Sequence, residues 1–276
     1  MSYVDILHIT EKVKTPFKKV ALFGGVYNNY LALEKACEMA VSHGCDALFQ
    51  LGDLGGFGPH PNRVFPILEK YDVRCLQGNY EESLIANLKD CGCGYTHPKD
   101  NYYAQISYDY TDQNLSVAHR NRLSGFPKQI QFPLGPLTVH LCHGSPRRIN
   151  EFLWESTTAN GFVGAVARDL KFDVLACTHT GLPWRREFEP GKWIVNVGVL
   201  GRPANDGRPS VGYTELSWDN GRIKTTYVDI SYEWSALAGE MKKEKLPDEF
   251  IETIIHGYWT TCLEILPGKE RARGLY

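Results

Sequence analysis

Long apolar runs are missing. No stretch of the 276 residues approaches the eighteen or so that a membrane-spanning helix needs, so no membrane partner is expected. Surplus charge of either sign is missing too. Thirty Lys and Arg stand against 32 Asp and Glu, a formal net charge of -2, which gives no bulk attraction to a nucleic-acid polymer. A second cysteine pair at zinc-finger spacing is absent. The eight cysteines therefore read as reduced, mostly buried thiols; the Cys91-Gly-Cys93 pair could bind a metal or oxidise, with two loop thiols as the favoured reading. Met1 to Lys19 lacks the continuous apolar core of a signal peptide, which sets the expectation of a cytoplasmic protein. Repeats, low-complexity segments and linkers are absent as well. The simplest organisation is one domain, residues 1–230, with a helical C-terminal extension, residues 231–276, packed on it.

What is present is an ordinary globular composition, 43% hydrophobic and 22% charged, with enough chain for a sizeable core. Lys18 to Phe23 is a short apolar run ending at Gly24-Gly25 and reads as a buried strand. Tyr30 to His43 carries apolar residues at helical spacing, with Gly44 as C-cap. Ala47 to Leu51 reads as a strand, Asn62 to Tyr71 as a helix and Val73 to Leu76 as a strand. This βαβαβ order predicts a parallel central sheet. Farther on, Tyr103 to Tyr110, Leu137 to Cys142, Asp173 to Cys177 and Trp193 to Val197 read as strands. Gly212 to Trp218 and Arg222 to Ile230 form a hairpin turning at Gly221. Leu115 to Arg122 is ambiguous. Asn150 to Leu170 reads as mainly helical, Asp248 to Leu266 as a helix between Pro247 and Pro267, and Glu270 to Tyr276 as a charged mobile end.

Several of these strands finish in a Gly-flanked polar residue: Gly52-Asp53, Gly78-Asn79, His143-Gly144 and His179. Ligand sites of α/β sheets sit at the carboxyl ends of strands. Here those ends supply a carboxylate, an amide oxygen and two imidazoles, a donor set suited to a borderline divalent ion. Singly, each is an ordinary turn or core residue. Together they point to a metal site.

On these residues the chain resembles the calcineurin-like metallophosphoesterases, in their small bacterial phosphodiesterase and phosphatase branch. The family's blocks are Asp-X-His, Gly-Asp, Gly-Asn-His-Asp/Glu, a later His, and Gly-His-X-His. Gly52-Asp53-Leu54-Gly55 matches the second, Gly78-Asn79-Tyr80-Glu81 the third with one change, His143-Gly144-Ser145-Pro146 the fourth, and Thr178-His179-Thr180-Gly181 is a degraded fifth. The likeness runs in order from about Val20 to Leu216. It implies an α/β fold with a central β-sandwich flanked by helices, a four-layer αββα arrangement.

The resemblance also implies two metal ions, and here three ligands depart from it. Gly25 stands where the first block has Asp, Tyr27 where it has His, and Gly181 where the fifth block has its second His. By the family pattern all three belong to one metal position. The residues kept, Asp53, Asn79, His143 and His179, belong to the other. The expectation is one divalent transition metal ion (Mn, Zn or Fe). A rival reading restores a weak first site through a Tyr27 phenolate. Tyr80 replaces the histidine that usually assists the leaving group. Tyr80, Arg147 and Asn29 are the candidate catalytic residues, as donors to a phosphate. Arg202 reads equally as a phosphate binder or a solvated side chain. Two functions compete: a phosphoesterase acting on a small phosphodiester or phosphomonoester, and a retired enzyme fold that binds a phosphate-bearing ligand or a protein partner. The apolar stripe of the tail packs on the domain or makes a homodimer contact.

Overall fold

The computed structural model describes residues 10–275. The beginning of the Met1 to Lys19 stretch and Tyr276 lie outside the described residues. Strands β1 (Thr10–Lys12) and β2 (Lys19–Phe23) precede helix α1 (Tyr30–Ser42), followed by β3 (Ala47–Gln50), α2 (Val64–Lys70) and β4 (Arg74–Cys75). Helix α1 buries Ala32, Leu33, Ala36, Cys37 and Ala40, the stripe its periodicity demands, and the Asn29 side chain caps its N-terminus. As the βαβαβ order requires, β2 pairs parallel with β3 and β3 with β4.

The later strands are β5 (Gln129–Leu134), β6 (Leu137–Cys142), β7 (Val174–Cys177), β8 (Pro183–Glu189), β9 (Lys192–Val197), β10 (Val211–Asp219) and β11 (Arg222–Ile230). They complete a five-stranded sheet, β11-β10-β2-β3-β4, and a six-stranded sheet, β1-β5-β6-β7-β9-β8. The inner faces meet in one apolar cluster, in which Leu22, Phe49 and Leu51 face Ile130, Phe132 and Leu141. Phe49 stacks on Phe132 with centroids 4.8 Å apart. Each such side chain contributes about 1.5–3 kcal/mol by leaving water. Helix α6 (Asn160–Leu170) covers the outer face of the six-stranded sheet through Val163, Val166 and Ala167. Helices α1 and α2, with α7 (Trp234–Lys243) and α8 (Asp248–His256), share a second cluster on the other sheet. The expected helix–sheet–sheet–helix layering is what the chain forms.

Several local expectations fail. Tyr103 to Tyr110 is not a strand but part of helix α4 (Pro98–Asn114), which follows α3 (Asn79–Ile85). Ile106, Tyr108 and Tyr110 alternate as in a pleat, but the buried residues Ala104, Ser107, Tyr108 and Thr111 fall at helical spacing, after a Pro in the first turn. The ambiguous segment forms α5 (Val117–Leu123). The helix expected from Asn150 begins only at Asn160. The helix beginning at Asp248 stops at His256, where Gly257 adopts φ +73° as an αL cap. The charged end is not free: α9 (Gly268–Arg271) carries Glu270, 1% exposed, whose carboxylate accepts bonds from Ser156.

A candidate metal centre

The ends of β3, β4, β6 and β7 lie side by side, and each delivers one donor. Asp53 follows β3, Asn79 opens α3 after β4, His143 follows β6 and His179 stands two residues beyond β7. His143 Nε2 lies 3.2 Å from Asp53 Oδ2, 3.1 Å from Asn79 Oδ1 and 3.0 Å from His179 Nδ1. All four residues are buried. The close approach depends on two glycines. A Cβ on Gly52, which has φ +86°, would sit 2.3 Å from the Gly78 amide nitrogen. One on Gly78 would sit 2.4 Å from Asp53 Oδ1. Asp53 and His179 themselves hold φ of 61° and 65°, conformations that side chains adopt at some energetic cost and that cluster at functional sites.

The hydrogen bonds decide which atoms face inward. His143 Nδ1 is 2.7 Å from the Leu51 carbonyl and donates its proton there, so Nε2 presents a lone pair. The Asn79 amide donates to the carbonyl of Cys91 at 2.8 Å, turning its oxygen toward the cluster. Asp53 Oδ1 accepts from the Tyr80 amide, leaving Oδ2 free to face inward. The Asp53 and Asn79 oxygens and the His143 Nε2 lone pair thus converge, and His179 Nδ1 adds a fourth lone pair when its ring proton sits on Nε2, which has no hydrogen-bond partner among the described residues; that arrangement suits a cation. The donors and their outer partners suit a divalent transition metal. Without an ion the nearest substitute is a proton on His143. Burial opposes charge there, but the Asp53 carboxylate raises the imidazole pKa. Burial is the largest influence on Asp53 and raises its pKa, but the charge and hydrogen bond of His143, with His179 and the Tyr80 amide, together lower it. Burial and the His143 charge push His179 down to about 3.

Glu81 braces the loops. Its buried carboxylate accepts from the amides of Asp53, Leu54 and Gly78 at 2.7–2.8 Å, tying the Gly-Asp turn to the start of α3. Asn196 does the same for the last ligand, donating at 2.9 Å to the Thr178 carbonyl and to Thr180 Oγ1. Helix α4, misread as a strand, supports the Asp53 loop: Thr111 Oγ1 accepts from the Gly56 amide at 3.0 Å and Ser107 Oγ from the Tyr80 hydroxyl at 3.0 Å.

Beside the cluster the chain is filled differently. The Tyr27 ring covers Gly25, where a Cβ would meet its Cε1 at 2.6 Å. A Cβ on Gly181 would meet Trp259 Cη2 at 2.8 Å. Between these rings lies Arg202, 6% exposed, its guanidinium carbon 3.6 Å above the Trp259 ring centre and 5.8 Å from that of Tyr27. Asp53, His179, Tyr27, Tyr80 and Arg202 share the wall of a cavity of about 50 Å³. Residues of the tail, Phe250, Thr261 and Cys262, close it.

No family model matches the chain. A protein of Methanocaldococcus jannaschii described as uncharacterised is 21% identical over 256 residues, 86% of this chain and 98% of that one. A solved structure of a hypothetical protein from Pyrococcus horikoshii superposes with a TM-score of 0.69 at 19% identity, covering 89% of this chain and 100% of its own. A metallophosphoesterase from Sphaerobacter thermophilus superposes at 0.64 with 21% identity, covering 87% and 99%. The fold is that of the calcineurin-like metallophosphoesterases.

Within this metallophosphoesterase fold the other predicted residues scatter. Tyr80 reaches the cavity wall, and burial pushes its phenol far above the ordinary range, so it is a donor and not a base. Asn29 is spent on structure, accepting from the Ala32 amide at 3.1 Å and donating to the Gly201 carbonyl at 3.3 Å. Arg147 pairs with Glu151 over the Phe162 ring and lines a different cleft. The thiol expectation also needs correction. Cys91 and Cys93 form a disulfide, which their one-residue spacing in a tight loop brings within bonding reach, while the other six cysteines are free. Cys93 Sγ accepts from the Asn79 amide at 3.3 Å. Arg202 is buried rather than solvated, a role its Gly-Arg-Pro context did not decide. The one hint to it was the pair of glycines at 25 and 181 that leave its space open.

Proposed function

We propose that this chain is a metal-dependent phosphoesterase that holds a single divalent transition metal ion, Mn, Zn or Fe, on Asp53, Asn79, His143 and His179. Its substrate would be a small phosphodiester or phosphomonoester. The observation that carries this reading is the convergence of four inward-facing lone-pair donors beside a position filled by Tyr27, Trp259 and Arg202. The fold shared with a metallophosphoesterase of Sphaerobacter thermophilus supports it. When bound, the ion supplies Lewis acidity toward a phosphoryl oxygen and toward water. The chain's own residues do the rest. The Leu51 carbonyl and the Cys91 carbonyl orient His143 and Asn79, Glu81 fixes the loop that carries Asp53, and the Tyr80 hydroxyl offers a donor at the cavity wall. Asn29 and Arg147 are engaged elsewhere, and the reading does not require them. A phenolate on Tyr27 is disfavoured, because burial raises its pKa far above the usual range. The test is turnover of bis(4-nitrophenyl) phosphate and 4-nitrophenyl phosphate in the presence of Mn or Zn. Metal-stimulated hydrolysis that disappears in His143→Ala is expected. No turnover of either ester with either metal would sink the reading.

A second reading has its own observation. A cavity of about 50 Å³ is small beside a usual ligand site, and four protein donors fill the shell of a structural ion. On that reading the chain is a retired phosphoesterase fold that binds a phosphate-bearing ligand or a protein partner. A phosphate ester that raises the melting temperature and is recovered intact would favour it.

A further inference from the structure

We propose that the Arg202 guanidinium is the anion-binding group of this site, taking the phosphoryl oxygens of a phosphate ester on the side of the cavity that the family pattern assigns to the first ion. The proposal rests on the reading of the four-donor cluster as a metal centre. Its basis is an unmatched charge. Arg202 is 6% exposed, yet among the described residues none of its N–H groups has a hydrogen-bond or carboxylate partner, and Nε is fully enclosed without one. Three other partly buried arginines each have polar partners, Arg120 in Asp112 and the Leu84 carbonyl, Arg147 in Glu151, and Arg186 in the carbonyls of Glu155 and Thr158, although the Nε of Arg186 is also unpartnered. A buried cation left without a counter-charge is strongly unfavourable, so a chain that retains one has a use for an anion there.

The geometry says where that anion belongs. One face of the guanidinium lies on the Trp259 indole, so its N–H groups are left to point outward in the plane of the fork. Arg202 lines the same cavity as Asp53 and His179. Its Nη2 lies 3.4 Å from where a Cβ at position 181 would project, so the guanidinium stands in the space that the family's second histidine would enter. The one carboxylate on that wall, Asp53, makes no ion pair with it and is turned to the donor cluster, and the nearby phenols and thiol stay neutral. Burial raises the pKa of the Tyr27 and Tyr95 phenols and of the Cys262 thiol. A planar guanidinium fork matches two oxygens of one phosphoryl group, as a point charge does not. The tail holds the fork in place. Trp259 is anchored by its indole N–H to the Pro203 carbonyl at 2.7 Å and by its amide to Asn205 Oδ1 at 2.8 Å. A segment outside the family likeness thereby completes the site.

The test is calorimetric titration of inorganic phosphate into the full chain loaded with Mn, for the unaltered protein, Arg202→Met and Arg202→Lys. Bound metal is measured separately in each. Met keeps an unbranched stem on Trp259, and Lys keeps the charge without the fork. Expected are unchanged metal content in both variants, at least a ten-fold loss of phosphate affinity in Arg202→Met, and an intermediate loss in Arg202→Lys. If Arg202→Met does not fold, the loss in Arg202→Lys decides. Equal phosphate affinity in the unaltered and substituted chains at equal metal content overturns the proposal and leaves the metal centre standing. So does a metal-loaded unaltered chain that binds no phosphate. An unaltered chain that takes up no metal overturns the underlying reading, and the proposal with it.

Discussion

Two neighbouring positions in this molecule have gone different ways. At one, Asp53, Asn79, His143 and His179 aim lone pairs at a common point, and a buried carboxylate, two carbonyls and an asparagine hold them there. At the other, where the family pattern would place further ligands, positions 25 and 181 are glycine, and Tyr27, Trp259 and a guanidinium pack the space beside them. The contrast teaches that loss of ligands at one position need not mean decay of the site. On the proposed reading the four donors form a complete set with their outer partners, and the neighbouring position holds groups that pack and a single positive charge.

The sharpest way to break the comparison is to remove the donor that touches the other three. His143→Ala is expected to abolish metal binding, read by elemental analysis, and any hydrolysis with it. Next comes an attempt to rebuild the emptied position. Gly181→His places a Cβ 2.8 Å from Trp259 at φ +81°. It should destabilise the fold by roughly 1–3 kcal/mol in urea unfolding and bring no second ion. A stable variant with an added ion would erase the distinction drawn here. The brace should matter less than the ligands. Glu81→Gln keeps the shape but loses the charge that three amides share, and metal affinity should fall roughly 10–100-fold.

A third buried histidine sharpens the comparison from outside. His140 Nε2 donates to Gln129 Oε1 at 2.6 Å and Nδ1 accepts from Gln131 at 2.9 Å, and among the described residues no charged group is bonded to it. Burial pushes its pKa down from 6.5 to about 3. Below pH 6.5 the unfolded chain binds a proton that the folded chain refuses until about pH 3. Stability is therefore full above that window and falls as pH drops through it, by roughly 1.4 kcal/mol per unit. Urea unfolding from pH 7 to 5 should show a shallower slope in His140→Gln; an unchanged slope would place the proton uptake elsewhere. The smallest effect is expected from Tyr27→Phe. It should leave the metal content unaltered, since the ring fills space and the phenol stays protonated; a lost ion would restore the phenolate reading.

Much of this contrast was legible in the sequence. The βαβαβ start and the four donors could be read because each strand is a short apolar run that stops at a polar residue, beside a glycine in three of the four, a local signal. The brace at Glu81 was legible only as part of a motif, because its three amide partners come from two loops. Helix α4 was not legible, since Ile106, Tyr108 and Tyr110 alternate as in a strand while its buried residues keep helical spacing. Arg202 was ambiguous for a different reason. What makes it a buried cation is Trp259, far along the chain in a tail with no motif, together with two missing side chains. A contact made possible by absences leaves little local pattern to read.

The measurement that tests the account most directly is the number of metal ions bound per chain. It is taken by elemental analysis of protein purified without chelator and again after equilibration with Mn or Zn, with His179→Ala alongside. The account predicts one ion in the unaltered chain and none in the variant. Two ions per chain, or none in the unaltered chain even after Mn and Zn, would contradict it.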